Sequence, residues 1–212
     1  KKLRLTGGER VVRLGVEDLI SSLNKIGFED ISMTTNGILL SKKADELKKA
    51  GLDRVNISLD TLDKEKYKKI TRRDNFEEVM SGINTALEYD FLPVKLNVVV
   101  IRGFNDEELL DFANLTKNRE LHVRFIEYMP LGGEVEKEKY INMNEVKKKL
   151  ISKLSILKTS TIGNGPAKYY KIPKSKGSIG FISAISEHFC SECNRFRLTA
   201  DGKFRPCLAR DM

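Results

Sequence analysis

The stretch ISMTTNGILLSKKADELKKAGLDRVNIS, residues 31–58, decides the reading of the fold. It opens on the β-branched and apolar run Ile31 to Thr35 and passes through Asn36-Gly37. Apolar residues at helical spacing follow from Ser41 to Ala50, and a second strand-like run occupies Arg54 to Ser58. The order is strand, helix, strand, with Gly51 where a left-handed residue ends the helix. Strands joined through a helix run parallel, with a right-handed crossover.

The same alternation extends in both directions. Strands are expected at Lys2 to Thr6, Val94 to Ile101 and Leu121 to Tyr128, and helices at Val16 to Ile26, Phe76 to Tyr89 and Asp106 to Lys117. Gly27 punctuates the first helix, while Asn75-x-x-Glu78 and Asn105-x-x-Glu108 read as capping boxes. Repeated βα units make an open doubly wound sheet or a large arc of a (β/α) barrel, and both bind ligands at the C-terminal ends of their strands. From about residue 131 the pattern changes to a helix, Asn144 to Leu154, and then to strands at Ser155 to Lys158, Lys168 to Ile172 and Ser178 to Ile185. A hairpin turning at Asp201-Gly202 follows. The expectation is an α/β chain divided into residues 1–130 and a mainly antiparallel region, 131–212.

Composition narrows the classes. The 212 residues are 40% apolar, enough for a real core, which excludes collagen, a disordered tail and a disulfide miniprotein. Lys and Arg number 38 against 30 Asp and Glu, a net charge of +8 spread along the chain, which suits an anionic ligand or a nucleic acid. No apolar run approaches the ~20 residues of a membrane span, and Lys1-Lys2-Leu3-Arg4 does not lead into a signal-peptide core. A cytoplasmic protein without a membrane partner is expected.

The strand ends are polar. The first runs into Thr6-Gly7-Gly8-Glu9, where glycines let backbone amides approach a ligand, although no Lys follows at Walker spacing. The second ends in Thr34-Thr35-Asn36-Gly37, and Asn56, Ser58 and Asp60 share one face of the third. Lys95 and Asn97 share a face of the next strand, and the last supplies Arg124, Glu127 and Met129. Each feature alone is compatible with an ordinary turn or a satisfied ion pair. Their recurrence at successive strand ends points to a polar, partly cationic cavity, because buried polar groups are costly without partners.

Three cysteines, Cys190, Cys193 and Cys207, lie near the end of the chain, a poor disulfide framework and a good metal or redox site. A two-residue turn at Asp201-Gly202 would place Cys207 opposite Phe196. Zinc with His188 as fourth ligand, an iron-sulfur cluster with one open iron, and a redox dithiol all fit this spacing. Arg195 and Arg197 project from one face of a strand beside the cysteines, and Phe196 and Leu198 from the other.

Taken in order, these segments resemble the GTP 3′,8-cyclase family of radical S-adenosylmethionine enzymes. The matching stretches are Arg4-Leu5-Thr6-Gly7-Gly8-Glu9, Thr34-Thr35-Asn36-Gly37, Arg54 to Asp60, Lys95-Leu96-Asn97, Phe125 to Pro130, and Cys190 to Cys207 with Asn194-Arg195-Phe196-Arg197-Leu198. The resemblance implies an incomplete (β/α)6 TIM-like barrel with a C-terminal extension over its mouth. It also implies two [4Fe-4S] clusters, one of which cleaves S-adenosylmethionine. The radical so formed abstracts the C3′ hydrogen of GTP, the sugar radical attacks C8 of guanine, and a partner synthase turns the product into cyclic pyranopterin monophosphate. Carried over by position, Gly8, Ser58, Asn97, Arg124 and Met129 would contact S-adenosylmethionine. Arg4, Thr35, Lys95, Arg195, Phe196 and Arg197 would contact GTP, and Cys190, Cys193 and Cys207 would hold the auxiliary [4Fe-4S] cluster. A homodimer is compatible with the resemblance.

The sequence departs from that family in three places. It contains no Cys-x3-Cys-x2-Cys, the family's site for the cluster that cleaves S-adenosylmethionine; Arg10-Val11-Val12 stands where Pro and Leu are usual; and it ends before a C-terminal Gly-Gly. The expectation is a chain lacking its first βα unit and inactive alone, with the cluster that cleaves S-adenosylmethionine held only by a longer protein. Two other readings compete: a radical enzyme with an auxiliary cluster and a peptide substrate, and a zinc ribbon binding nucleic acid. Arg195-Phe196-Arg197 argues against the peptide. Against the zinc ribbon, the aromatics are not interleaved with the basic residues as a stacking platform requires.

Overall fold

The computed structural model describes residues 1–129, 137–159, 165–187, 193 and 195–207. Five strands in chain order form its parallel series: β1 Lys2–Leu5, β2 Asp30–Thr35, β3 Arg54–Ser58, β4 Val94–Val100 and β5 Leu121–Glu127. Helices α1 Val16–Ile26, α2 Leu40–Lys49, α3 Lys64–Thr71, α4 Phe76–Glu88 and α5 Leu109–Asn118 connect them, and α6 Met143–Leu154 follows. The chain closes with β6 Leu157–Thr159, β7 Lys168–Lys171, β8 Ser178–Ile182 and a separate hairpin of β9 Arg197–Leu198 and β10 Phe204–Arg205. The main sheet has eight strands in the order β1-β2-β3-β4-β5-β8-β7-β6. Among the described residues β1 and β6 do not pair, so the sheet is an open arc of a barrel. No helix of the described residues is long and apolar enough to cross a membrane.

Residue alternation along the strands explains the two faces. Ile31 and Met33, Val55 and Ile57, Leu96 and Val98, Val123 and Phe125, and Ile179 and Phe181 point to one side and are buried. They pack with the helices' apolar stripes, among them Ile20, Leu40, Leu47, Val79, Ile83, Phe112 and Leu150. Each such large side chain contributes about 1.5 to 3 kcal/mol on leaving water. The alternate residues, Arg4, Ser32, Arg54, Asn56, Lys95, Asn97, His122 and Arg124, share the other face through the parallel register. A helix-covered apolar face thus leaves a polar concave face for ligands.

Five details differ from the sequence reading. Ser178–Ile182 was expected in the antiparallel region, yet β8 pairs parallel with β5, and only β7 and β6 beyond it are antiparallel. The parallel series therefore gains a sixth strand, with α6 packed on β5 and β8. Helix α3 was not expected, because KEKYKKIT buries only Tyr67; the Asp63 carboxylate caps it by accepting from Lys66 N–H at 2.9 Å. Asn105 caps no helix: its amide donates to the Asp60 and Val99 carbonyls at 2.6 and 2.8 Å, and α5 starts later at Leu109. At α4, the Asn75 amide donates to Glu78 instead of capping a backbone N–H.

The fifth difference is the hairpin register. Leu198 pairs with Phe204 and Arg197 with Arg205. Thr199 N–H donates to Lys203 C=O at 2.9 Å, and Gly202, at φ +82°, closes a three-residue loop. The loop is one residue longer than the expected turn, so the register extends to bring Cys207 opposite Arg195 rather than Phe196.

Candidate functional site

The loop after β1 is built around one carboxylate. Glu9 accepts from the Thr35 hydroxyl at 2.8 Å, from Asn36 N–H at 2.6 Å and from Val11 N–H at 3.1 Å, fastening the β1 loop to the end of β2. Gly7 and Gly8 run ahead of it at φ +91° and +57°, conformations that strain any other residue. The outcome is a cavity of about 200 Å³ lined by Gly8, Glu9, Thr34, Thr35, Asn36 and Ser58. Its lining offers hydroxyl, amide and backbone groups, a donor set suited to the amino-acid part of a ligand such as S-adenosylmethionine.

Beside this cavity the concave face is crowded with cations. Buried Arg54 on β3 donates through Nε to Asp30 Oδ1 at 2.8 Å and through a second nitrogen to Asp30 Oδ2. Arg124 on β5, also buried, donates through Nε to Asn97 at 2.8 Å and through an Nη to Asn56 at 2.7 Å, spanning β3, β4 and β5. Lys95 is only 4% exposed, and its pKa falls to about 7, first through desolvation and then through Arg124, Arg54 and Arg4. Arg4 keeps contact with solvent, yet desolvation at this concave face, then Arg124, Arg54 and Arg195, lowers it to about 10. His122, bonded to the Ser178 hydroxyl at 2.7 Å, drops to about 4 by burial and then by Lys95 and Arg124, and so stays neutral. Four cations converge, and the carboxylate acting on Lys95 is Asp30. Such a cluster opposes its own charging until an anion enters.

The remaining expected residues are placed as follows. Ser58 lines the cavity, Met129 lies just past β5, partly buried, and Asn97 is engaged by Arg124. The Thr35 hydroxyl also accepts from Gly37 N–H at 3.1 Å, so with its bond to Glu9 it is already committed within the loop. Arg195 lies close enough to Arg4 to lower its pKa, which brings the hairpin to the concave face. Phe196, 71% exposed, stacks edge-on with Phe204 at 5.5 Å. Arg197 faces the same side as Arg205.

Among the described residues, Cys193 and Cys207 form no disulfide. The Cys193 thiol is pulled down in pKa, chiefly by a backbone hydrogen bond from Arg195. Thiols at these two positions have the donor chemistry of an iron-sulfur or zinc site. Cys190 and His188 lie outside the described residues, and among the described residues no three His, Cys, Asp or Glu side chains gather as a metal site.

Several important residues were not anticipated. Arg54 and Asp30 form the buried pair, and Tyr169 on β7 faces Lys95, with its ring centre 5.9 Å from the ammonium. The odd-even alternation Arg54-Asn56-Ser58 carried a signal for Arg54, whereas Tyr169 required the β7–β8 pairing. Glu127 and Asp60, read as cavity groups, are structural. Glu127 accepts from Tyr140 Oη, Met143 N–H, Ile185 N–H and Ser186 N–H, and Asp60 accepts from Val99 N–H at 2.8 Å.

Comparison with known proteins gives concordant matches. Residues 1–116 match the Radical SAM superfamily, and residues 121–212 match Molybdenum Cofactor Synthesis C. The GTP 3′,8-cyclase of Petrotoga mobilis is 54% identical over 100% of the chain and 67% of its own length. That of Moorella thermoacetica is 52% identical over 99% of the chain and 66% of its own length. The chain spans about two thirds of the length of these curated relatives. A domain of the pyruvate-formate lyase-activating enzyme from Bacteroides vulgatus superposes with TM-score 0.57 at 17% identity, covering 70% of this chain and 89% of that one. TYW1 with a bound lysine-pyruvate adduct gives 0.54 at 23% identity, covering 83% and 55%. These structural likenesses show the fold.

Proposed function

The chain belongs to the GTP 3′,8-cyclase family of the radical S-adenosylmethionine superfamily, and from that premise we propose that it holds GTP and S-adenosylmethionine on its concave face for conversion of GTP to 3′,8-cyclo-7,8-dihydro-GTP in molybdenum cofactor biosynthesis. One observation carries the reading: Arg4, Arg54, Lys95 and Arg124 converge on the concave face with Asp30 as the carboxylate acting on Lys95. A polyanion relieves that arrangement, and a nucleoside triphosphate supplies the charge.

In this reading Gly8 and Ser58 hold the amino-acid part of S-adenosylmethionine, with Met129 beside it. Arg124 completes that subsite, and Asn97 acts by fixing the Arg124 guanidinium. Arg4, Lys95, Arg195 and Arg197 bind the charged part of GTP, and Phe196 offers an exposed ring to the base. Thr35 serves through Glu9, holding the β1 loop in place. Cys190, Cys193 and Cys207 would hold an auxiliary [4Fe-4S] cluster by their thiolates, and that cluster would supply a binding point for the guanine. When bound, S-adenosylmethionine and the superfamily's [4Fe-4S] cluster supply the electron and the abstracting radical. The product then passes to a synthase that forms cyclic pyranopterin monophosphate.

Equilibrium binding of GTP to the purified chain tests the reading. GTP should bind with an affinity that falls steeply with salt, and Arg4→Ala and Lys95→Met should each weaken it by about tenfold or more, as loss of a charged hydrogen bond implies. Equal binding by the unaltered chain and both variants would remove GTP from this face.

A further inference from the structure

Arg10 stands where Pro is usual in the family, and the fold shows what that exchange keeps and what it adds. Arg10 opens the 3₁₀ turn Arg10–Val12 directly after Glu9, whose carboxylate accepts from Val11 N–H. The first residue of such a turn needs no N–H donor, so Pro and Arg both suit its backbone. The addition is a guanidinium. Its Nη2 takes the space beside the loop glycines: a Cβ would stand 2.9 Å from it at Gly7 and 3.3 Å from it at Gly8. Gly8 also lines the cavity of about 200 Å³. Among the described residues this guanidinium makes no hydrogen bond or ion pair, and its Nε is buried without a partner. The adjacent Glu9 does not serve it, because the Glu9 oxygens accept from Thr35, Asn36 and Val11. A charged donor shut away from water is costly until an acceptor meets it. An arginine packed only by its stem would keep its head group in water.

We propose that Arg10 binds the α-carboxylate of S-adenosylmethionine, with the rest of the amino-acid part in the cavity that Gly8 lines. The inference rests on the reading of that cavity as the S-adenosylmethionine subsite. An amino-acid end carries an ammonium and a carboxylate side by side. Among the described residues lining the cavity, Glu9 is the charged one, and its sign suits the ammonium; the lining holds no cation for the carboxylate. Arg124, on the β5 side, already donates to Asn97 and Asn56. Arg10 instead reaches Gly8 with its donors uncommitted, and a guanidinium meets a carboxylate through two parallel N–H bonds. A proline at the same place keeps the turn and supplies neither donor nor charge.

Equilibrium dialysis with S-adenosylmethionine and with its decarboxylated analogue, which keeps the ammonium and lacks the carboxylate, tests the contact. The unaltered chain should prefer S-adenosylmethionine by about tenfold or more, the size of a charge-assisted hydrogen-bonded contact. Arg10→Pro, which keeps a residue suited to the turn, should lose that preference by weakening S-adenosylmethionine while the analogue stays within about twofold. Arg10→Gln, which keeps much of the stem and removes the charge, should do the same. Circular dichroism melts identify a variant that fails to fold, and Arg10→Gln then carries the test. A preference that survives in both variants would overturn the inference. So would equal losses for the two ligands, which would give Arg10 a part only in shaping the loop, and so would a loss confined to GTP, which would put the guanidinium against the triphosphate. If the unaltered chain bound neither S-adenosylmethionine nor the analogue, the reading of the cavity would fall, and this inference with it.

Discussion

Replacing Glu127 tests how the end of β5 is tied to the rest of the chain. The carboxylate is 1% exposed and accepts from Tyr140 Oη at 2.7 Å and Met143 N–H at 3.3 Å at the start of α6. It also accepts from Ile185 N–H at 2.6 Å and Ser186 N–H at 2.9 Å, just beyond β8. Glu127→Ala leaves those donors without their acceptor. With about 1 to 3 kcal/mol for each buried donor left unsatisfied, and some readmission of water, the loss should be about 3 to 5 kcal/mol. Glu127→Gln keeps the shape but turns an NH2 toward donors, and should cost roughly 2 kcal/mol. The chain has no Trp, so urea unfolding is followed by circular dichroism. Desolvation raises the Glu127 pKa, but the Ser186, Ile185 and Tyr140 hydrogen bonds outweigh it and leave the group below its ordinary 4.5. A depressed pKa gives stability that is present above the unfolded value and lost as pH falls through the folded one. The acid-side loss should therefore be shallower in Glu127→Gln. A penalty below about 1 kcal/mol for Glu127→Ala would refute the claim that this carboxylate holds α6 and the strand end together.

Lys95→Met should weaken GTP binding by about tenfold or more yet raise folding stability near neutrality by about 1 to 4 kcal/mol, because a desolvated cation among guanidiniums gives way to an apolar chain. The sign of the pH effect follows: Lys95 has a folded pKa of about 7 against 10.5 unfolded, so the unfolded chain binds the extra proton between them. Stability should rise across that range, and the rise should vanish in Lys95→Met. Urea midpoints across that range check both statements. Arg195→Ala and Arg197→Ala should each weaken GTP binding by about 1 to 3 kcal/mol, read by calorimetry; unchanged affinity would remove the hairpin from the site. Glu9→Gln weakens the acceptor of Thr35 and Asn36, and should loosen S-adenosylmethionine binding by about tenfold while leaving the melting temperature nearly fixed; equilibrium dialysis measures it.

Most of the sheet could be read from the strands themselves, because apolar residues at alternate positions mark the helix-covered face and the intervening polar ones mark the cavity. That is why Lys95, Asn97, Arg124 and Ser58 could be placed on the polar face without coordinates. What escaped depended on pairing across the sheet. Nothing local in Ser178–Ile182 says whether its neighbour is β5 or β7, and it pairs with both, parallel on one side and antiparallel on the other. Tyr169 enters the site only through that arrangement. Asn105 and Glu108 fit a capping spacing, but Asn105 bridges Asp60 and Val99, and Glu108 accepts from Thr61, Leu62 and Lys66. Here tertiary partners outweighed a local cap. The one-residue error in the hairpin came from assuming the shortest loop around Asp201-Gly202, where the left-handed Gly202 closes a longer one. The Cys190 ligand and His188 fall outside the described residues, so the reading of the three-cysteine site rests on the sequence pattern together with Cys193 and Cys207.

The most direct test of the account is anaerobic reconstitution of the chain with iron and sulfide, metal quantification, and an electron paramagnetic resonance spectrum of the reduced protein with and without GTP. The account predicts about four irons per chain and a spectrum that GTP alters, as an open iron beside the nucleotide requires. Stoichiometric zinc without iron, or a cluster signal indifferent to GTP, would contradict it.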